Sequence, residues 1–315
     1  MATLAWVAMN RWTTADLPDL TGRTVLVTGA TSGLGEASVR ALARTGARVL
    51  MTARDTARGR AVAPDGVEVV ELDLADLSSV RKAAAEVRER TGDRLDVLMN
   101  NAGVMGTPYL RTVDGFELQI GTNHLGHAAL TWLLMPALRA AGTTDRPSRV
   151  VVLASLAHRG GSLDLDDLNW ERRAYRPDRA YSASKLADLL FAAELDRRLR
   201  AAGDPVISVA AHPGLTNTQL LGNSLRRRGR LAGMLAGPFN ALTTQSVERG
   251  VLPQLNAGFA DGVRGGDYIG PGGPAETWGF PAPARRSAAA QDPGIARSLW
   301  AVTADVTSVR PDPAA

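Results

Sequence analysis

The sequence predicts an α/β fold, a doubly wound parallel sheet with helices on both faces in a single domain, and three observations carry that expectation. A β-branched apolar run at 23–28, RTVLVT, has the composition of a buried parallel strand, and a glycine-rich turn, GATSGLG at 29–35, follows it at once. Further apolar runs at 48–52, 95–99, 149–154 and 206–211 alternate with helix-compatible stretches. No linker interrupts them, so although 315 residues could fill two domains, one is expected. We divide the chain into an N-terminal extension over 1–20, the domain over 21–280 and a C-terminal extension over 281–315 that packs on it.

In chain order, the apolar stretch Leu4 to Met9 comes first. It is far too short to span a bilayer and has no basic segment before it, so neither a signal peptide nor an anchor is expected. After the first strand and its glycine turn, residues Leu34 to Arg44 read as a helix, Gly46 as its stop and Arg48 to Thr52 as the next strand. Strand, glycine turn, helix and strand make up the context in which a glycine pattern points to dinucleotide binding. Gly29, Gly33 and Gly35 let the backbone turn tightly and approach a pyrophosphate at the helix N-terminus. The spacing is TGxxxGxG, not the commoner GxGxxG. At the end of the second strand an NAD-binding chain places an acid for the ribose hydroxyls. Here the sequence is MTARD: Ala53 takes that position and Arg54 follows with a planar cation suited to a 2′-phosphate, so NADP(H) is expected over NAD. Asp55 is the alternative acid if the strand ends two residues later.

Leu125 to Leu138 is the longest apolar region, interrupted by His127 and Pro136, and fits a buried helix better than a membrane span. His124 and His127 share a helix face without acidic or thiol ligands, which favours packing over metal binding. Tyr181 and Lys185 stand one helical turn apart in YSASK, and Lys185 is one of only two lysines, with Lys82. That spacing puts phenol and ammonium on one face, where the cation can stabilise tyrosinate and bring a phenol into acid or base work nearer neutrality. An isolated YxxxK is more often a surface pair; the glycine turn upstream reverses those odds. Cysteine is absent, which excludes disulfides, thiol catalysis and clustered Cys/His metal sites. A formal charge of +4 is small for this length, so nucleic-acid binding is not expected. The arginines at 226, 227, 228 and 230 form one basic cluster, which reads more readily as a solvated loop than as a contact for an acidic substrate or an anionic membrane. The last segment offers a helix over Ile295 to Val302, with Trp300 packing on the domain and a loose end beyond.

TGATSGLG at 28–35, LDLADL at 72–77, NNAG at 100–103, TNHLGH at 122–127, VVLASLAH at 151–158, YSASKLADLLFAAEL at 181–195 and HPGLTNT at 212–218 together resemble the short-chain dehydrogenase/reductase family. TNHLGH, SLAHRGG, LDLDDLN and AYSASKLADLLF are most similar to its retinol dehydrogenase branch, and the resemblance covers about residues 20 to 270. It implies a Rossmann-type fold and an NADP(H)-dependent oxidoreductase that moves a hydride between nicotinamide and a carbonyl or alcohol carbon of an apolar small molecule. Retinoid-like, steroid-like, polyketide and simple aldehyde substrates all stay open, and carbonyl reduction is the expected direction.

Carried onto this chain, the resemblance makes Tyr181 the acid/base and has Lys185 lower its pKa and bind the nicotinamide ribose. Ser155 would hydrogen-bond the substrate oxygen, and Asn123 would hold a relay water. It places Gly29, Ser32, Gly33, Leu34 and Gly35 around the phosphates, Arg54 on the 2′-phosphate, Asp73 and Leu74 near adenine, and Asn101, Ala102 and Gly103 along the ribose. Pro213, Gly214 and Thr218 would hold the nicotinamide, with Thr216 as substitute for Thr218. A substrate-covering lid is implied over about 215–250. Ser155 and Tyr181 are 26 residues apart, roughly twice the family's usual gap. The extra segment, Ser162 to Arg179, is either a loop beside the site or a solvated excursion. The resemblance also allows a homo-oligomer, while the absence of cysteine is compatible with a cytoplasmic location and leaves no metal expected. An NADP-sensing regulator without turnover is the competing reading, but retention of Asn123, Ser155, Tyr181 and Lys185 weighs against it. A pigment reductase of the same superfamily is disfavoured by the missing cysteine.

Overall fold

The computed structural model describes residues 11–216 and 244–313. Eight strands form one sheet in the order β3-β2-β1-β4-β5-β6-β7-β8. The strands are β1 (Thr24–Val27), β2 (Arg48–Ala53), β3 (Glu68–Glu71), β4 (Val97–Asn100), β5 (Ser148–Leu153), β6 (Val206–Ala211), β7 (Tyr268–Pro271) and β8 (Pro281–Pro283). The main helices are α1 (Gly33–Leu42), α2 (Thr56–Val62), α3 (Leu77–Thr91), α4 (Gly126–Ala141), α5 (Pro177–Ala202), α6 (Leu252–Phe259) and α7 (Pro293–Thr307). The chain winds outward from β1 to β3, then crosses back to lay β4 on the other side of β1. Reversal of winding opens a crevice at the carboxyl ends of β1 and β4. Register keeps those ends level, with Val27 opposite Met51 of β2 on one side and Met99 of β4 on the other.

Both faces of the sheet are buried at its centre, which is why β1, β4, β5 and β6 read as largely apolar runs and not as alternating ones. Along β1 the pleat sends Val25 and Val27 to the layer holding Val39 and Leu42 of α1 and Leu252 and Leu255 of α6, and Leu26 to the layer built by α3, α4, α5 and α7. Asp55, Asp76 and Asp292 accept backbone N–H bonds and cap α2, α3 and α7, while Gly92 and Gly203 end α3 and α5 in the left-handed region.

Three features depart from the sequence reading. The sheet carries one antiparallel strand, β8, paired to β7. Pro281 and Pro283 have no N–H to offer a further strand, so they suit an edge. The buried region at 125–138 does form a helix, but a π-helical turn, Gly121–Leu125, leads into it, and the helix runs on to Ala141. The C-terminal segment is also longer and tighter than expected. Pro293 starts α7 and the helix continues to Thr307. Beyond it, Arg81 donates to the carbonyls of Thr307 and Ser308, and Arg139 bridges Asp204 and Asp312, the latter at 2.7 Å. A loose end was expected from composition; these arginine bonds, invisible in the local sequence, anchor it. Among the described residues no helix is long and apolar enough to cross a membrane.

Trp300 joins α7 to the core. Its ring lies 4.9 Å from that of Trp132 and stacks 5.5 Å from Phe191, with the Arg198 guanidinium 4.7 Å over its other side. Trp300→Ala should therefore cost about 3–5 kcal/mol, measured as the change in urea unfolding free energy.

Candidate active site

Thr28, the first residue after β1, organises the crevice. Its hydroxyl accepts the N–H groups of Asn101 and Ala102 at 2.9 and 3.0 Å and meets His127 Nε2 at 2.9 Å. His127 Nδ1 lies 2.8 Å from the Asn123 carbonyl, which can only accept, so Nδ1 carries the proton and Nε2 accepts from Thr28. Two loops, after β1 and after β4, are thereby held at one separation. At that separation Gly29 (φ +64°) has no room for a side chain: a Cβ would sit 2.7 Å from Ala102. A Cβ on Gly35 would sit 2.4 Å from the Gly29 carbonyl. Ser32 occupies the N-cap of α1 without capping it, leaving its hydroxyl free of that bond.

A cleft of about 450 Å³ follows from this geometry. Gly29, Ser32, Gly33, Leu34, Gly35, Arg54, Asp73, Leu74, Asn101, Ala102 and Gly103 all line it, as does Leu153 at the end of β5. Asn101 donates its amide to the Thr28 carbonyl at 2.8 Å, while its Oδ1 is buried with no partner among the described residues. An acceptor left bare beside glycines packed too closely for any side chain fits a polar ligand with hydroxyl donors, as a dinucleotide has. Strand β2 ends at Ala53, and Asp55 spends its carboxylate on the Arg58 N–H, 3.0 Å away. Arg58, which the sequence reading passed over, also lines the cleft. It follows Arg54 by four residues, and that spacing in RDTAR was the available signal. Both guanidinium groups are exposed and neither has a hydrogen-bonding or ionic partner among the described residues.

Tyr181 and Lys185 stand on α5, Asn123 on the π-helical turn and Ser155 just past β5; none of the four lines the cleft itself. Contacts join them to it. The Lys185 ammonium is buried and donates to the Leu153 carbonyl at 2.8 Å and to Asp188 Oδ2 at 2.9 Å. Burial works against its charge, but the charges of Asp188 and Tyr181 outweigh that and hold Lys185 above the ordinary lysine value. A Cβ on Gly103 would lie 3.2 Å from Asn123 Oδ1 and 3.8 Å from Lys185 Nζ, so the turn after β4 rests on both. Asn123 is fully buried. Its Oδ1 accepts from Val104 N, and Nδ2 donates to Val104 O and Ser184 Oγ. With both amide hydrogens taken, its side chain has only an Oδ1 lone pair left for a relay water. Ser155 Oγ accepts from Ala157 N, and its carbonyl meets His158 Nδ1 at 2.7 Å.

Pro213 and Gly214 follow β6 and lie off the cleft lining. Gly214 (φ +64°) donates to His212 Nδ1 at 3.2 Å, and Thr216 Oγ1 donates to the Pro213 carbonyl at 2.6 Å. The Thr216 hydroxyl therefore already serves the loop. Thr218, the arginines at 226–230 and most of the lid span fall outside the described residues. The extra segment after Ser155 lies beside the site. Tyr175 donates to the Thr107 carbonyl or Glu117, receives Gln119 Nε2 at 2.8 Å, and holds the segment against 104–119, part of which lines the cleft.

Burial holds three histidines neutral: His124 is brought down to about 3, His127 to about 4 and His212 to about 3. Unfolded, each titrates near pH 6.5. As pH falls below that value the unfolded chain takes up protons that the folded protein refuses, so stability is lost between about pH 6.5 and 4. Asp188, pushed up to about 6 by burial despite its ammonium partner, works the other way over about pH 4 to 6. Three histidines outweigh it. Unfolding free energy should drop from pH 7 to pH 5 by up to about 2 kcal/mol per histidine, read from urea curves at the two pH values.

The sequence profile of the short chain dehydrogenase family matches residues 23–165. Retinol dehydrogenase 13 of Homo sapiens is 39% identical over 305 residues, covering 93% of this chain and 88% of the relative. Polyprenol dehydrogenase of Mus musculus is 41% identical over 299 residues, covering 90% and 84%. Among solved structures, an uncharacterized protein from Mycobacterium paratuberculosis matches with a TM-score of 0.78 at 45% identity, covering 95% of this chain and 98% of that one.

Proposed function

Because the chain belongs to the short-chain dehydrogenase family, in its retinol dehydrogenase-like branch, we propose that it moves a hydride between NADP(H) and a carbonyl or alcohol carbon of an apolar small molecule. The observation that carries this reading is the glycine-walled cleft that begins at two unpaired arginines and ends at Leu153, whose carbonyl holds the Lys185 ammonium. When bound, the nicotinamide supplies or accepts the hydride. The residues that would hold it are Gly29, Ser32, Gly33, Leu34 and Gly35 at the pyrophosphate, Asp73 and Leu74 at adenine, Asn101 to Gly103 at the ribose, and Pro213 and Gly214 at the nicotinamide. Arg54 and Arg58 take the 2′-phosphate, for which two unpartnered guanidinium groups are suited and an acid is missing.

In this reading Tyr181 gives its proton to the carbonyl oxygen on reduction and takes the hydroxyl proton on oxidation. Ser155 donates a hydrogen bond to the same oxygen where negative charge develops. Lys185 would orient the ribose with the hydrogen it does not spend on Leu153 and Asp188, and Asn123 fixes the adjoining backbone through the N–H and carbonyl of Val104. The names of two relatives specify retinol and polyprenol, both isoprenoid alcohols. We take that class, with the matching aldehydes, as the first substrates to try.

Two measurements test the reading. Wild-type protein should bind NADPH more tightly than NADH by fluorescence titration. Arg54→Ala combined with Arg58→Ala should cut that preference by about tenfold or more, as expected for losing charge-assisted bonds of about 1.5–3 kcal/mol. An unchanged ratio would remove the 2′-phosphate assignment. On an aldehyde panel that includes retinal, Tyr181→Phe should lower kcat by roughly 10²–10⁴ while NADPH still binds. Activity equal to wild type would take Tyr181 out of the mechanism.

A further inference from the structure

Asp188 has no place in the proton transfer described so far, yet it is bonded to the lysine at its centre. Tyr181, Lys185 and Asp188 follow one another on α5 at intervals of four and three residues, so phenol, ammonium and carboxylate share one helix face with the ammonium in the middle. The carboxylate is buried, 3% exposed, and lies 2.9 Å from Lys185 Nζ. Resting on the reading that Tyr181 and Lys185 carry the proton transfer, we propose that Asp188 is a positioning residue. It anchors the Lys185 ammonium and reduces the positive charge that this ammonium presents to Tyr181.

The surroundings leave this role to Asp188. The other neighbour of its carboxylate is His124 on the π-helical turn, with Nδ1 at 3.9 Å from Oδ1. That imidazole is neutral at working pH, and its Nε2 is paired with Thr303 of α7 at 2.8 Å. His127, at the start of α4, is likewise neutral. Strand β5 contributes only the Leu153 carbonyl to the ammonium. Among the described residues Lys185 is therefore the one cation facing Asp188, and Asp188 the one anion bonded to Lys185. A cation and an anion in contact act on the phenol as a dipole, whose field falls off faster than that of an ammonium alone. Two of the three ammonium hydrogens are fixed by Leu153 and Asp188, which leaves a single one aimed by the other two.

The test needs no substrate or cofactor. The ultraviolet absorbance of tyrosinate is followed against pH in the unliganded protein, and the curve of Tyr181→Phe is subtracted to isolate Tyr181 among the four tyrosines. In Asp188→Asn, paired with its own Asp188→Asn/Tyr181→Phe reference, the isolated signal should appear about one pH unit or more lower than in wild type. Asp188→Glu, which keeps the charge, should return it toward the wild-type position. If the asparagine variant does not fold, Asp188→Ser carries the same expectation. A signal at the wild-type pH, or above it, in a folded Asp188→Asn overturns the proposal. The reading beneath it fails separately: a Tyr181→Phe protein that reduces the aldehyde panel as fast as wild type removes Tyr181 from catalysis, whereas an inactive Tyr181→Phe with an unmoved Asp188→Asn titration removes only the role of Asp188.

Discussion

The reversal of winding between β1 and β4 is the constraint from which the rest of the site follows. Two neighbouring parallel strands send their chains to opposite faces, and the space between their departing loops is the crevice. Thr28 ties the loops across that space: its hydroxyl takes N–H bonds from the loop after β4 while donating to His127 at the start of α4, and its carbonyl accepts the Asn101 side-chain amide. The glycines at 29 and 35 are consequences of the separation so set. With the loops this close, no Cβ fits.

The same histidine carries the constraint onward. His127 bonds the Asn123 carbonyl, and Asn123 in turn holds both the N–H and the carbonyl of Val104 and reaches Ser184 on α5. A chain of short bonds thus runs from β1 through the π-helical turn to the helix that bears Tyr181 and Lys185. π-Helical turns inside α-helices recur at functional sites because they displace one residue out of the regular ladder. The side chains of Thr28, His127, Asn123 and Ser184 are all buried and paired, and each would be costly to leave unpaired, which gives the arrangement its rigidity. Lys185 obeys the same rule: a buried ammonium is tolerable because a carbonyl and a carboxylate meet it.

Much of this was legible in the residues. The runs at 23–28 and 206–211 read as strands because apolar and β-branched residues dominate them, and the glycine turn between a strand and a helix located the crevice. That Tyr181 and Lys185 share a helix face followed from helical spacing. Strands β3 and β7 escaped notice because Glu68–Glu71 and Tyr268–Pro271 are short and flanked or filled by polar residues, glycine and proline, so their strand character depends on neighbours. Asp188 escaped for another reason: a carboxylate three residues after a lysine ordinarily lies on a solvated helix surface, and only the packing of the π-helical turn and α7 over α5 shows this pair to be buried.

Sequence by itself determined the fold class, the glycine turn, the lack of a ribose acid at Ala53 and the shared face of Tyr181 and Lys185. All of these depend on local spacing or composition, and covalent neighbours report them. Tertiary structure alone decided that Arg58 joins Arg54 at the cleft, that Asp55 is a helix cap, that Thr28 and His127 brace the crossover, and that the Lys185 ammonium is matched by Asp188. Those outcomes turn on which distant groups meet after burial, since the energy of a charge or hydrogen bond is set by the partners and solvent that packing leaves around it.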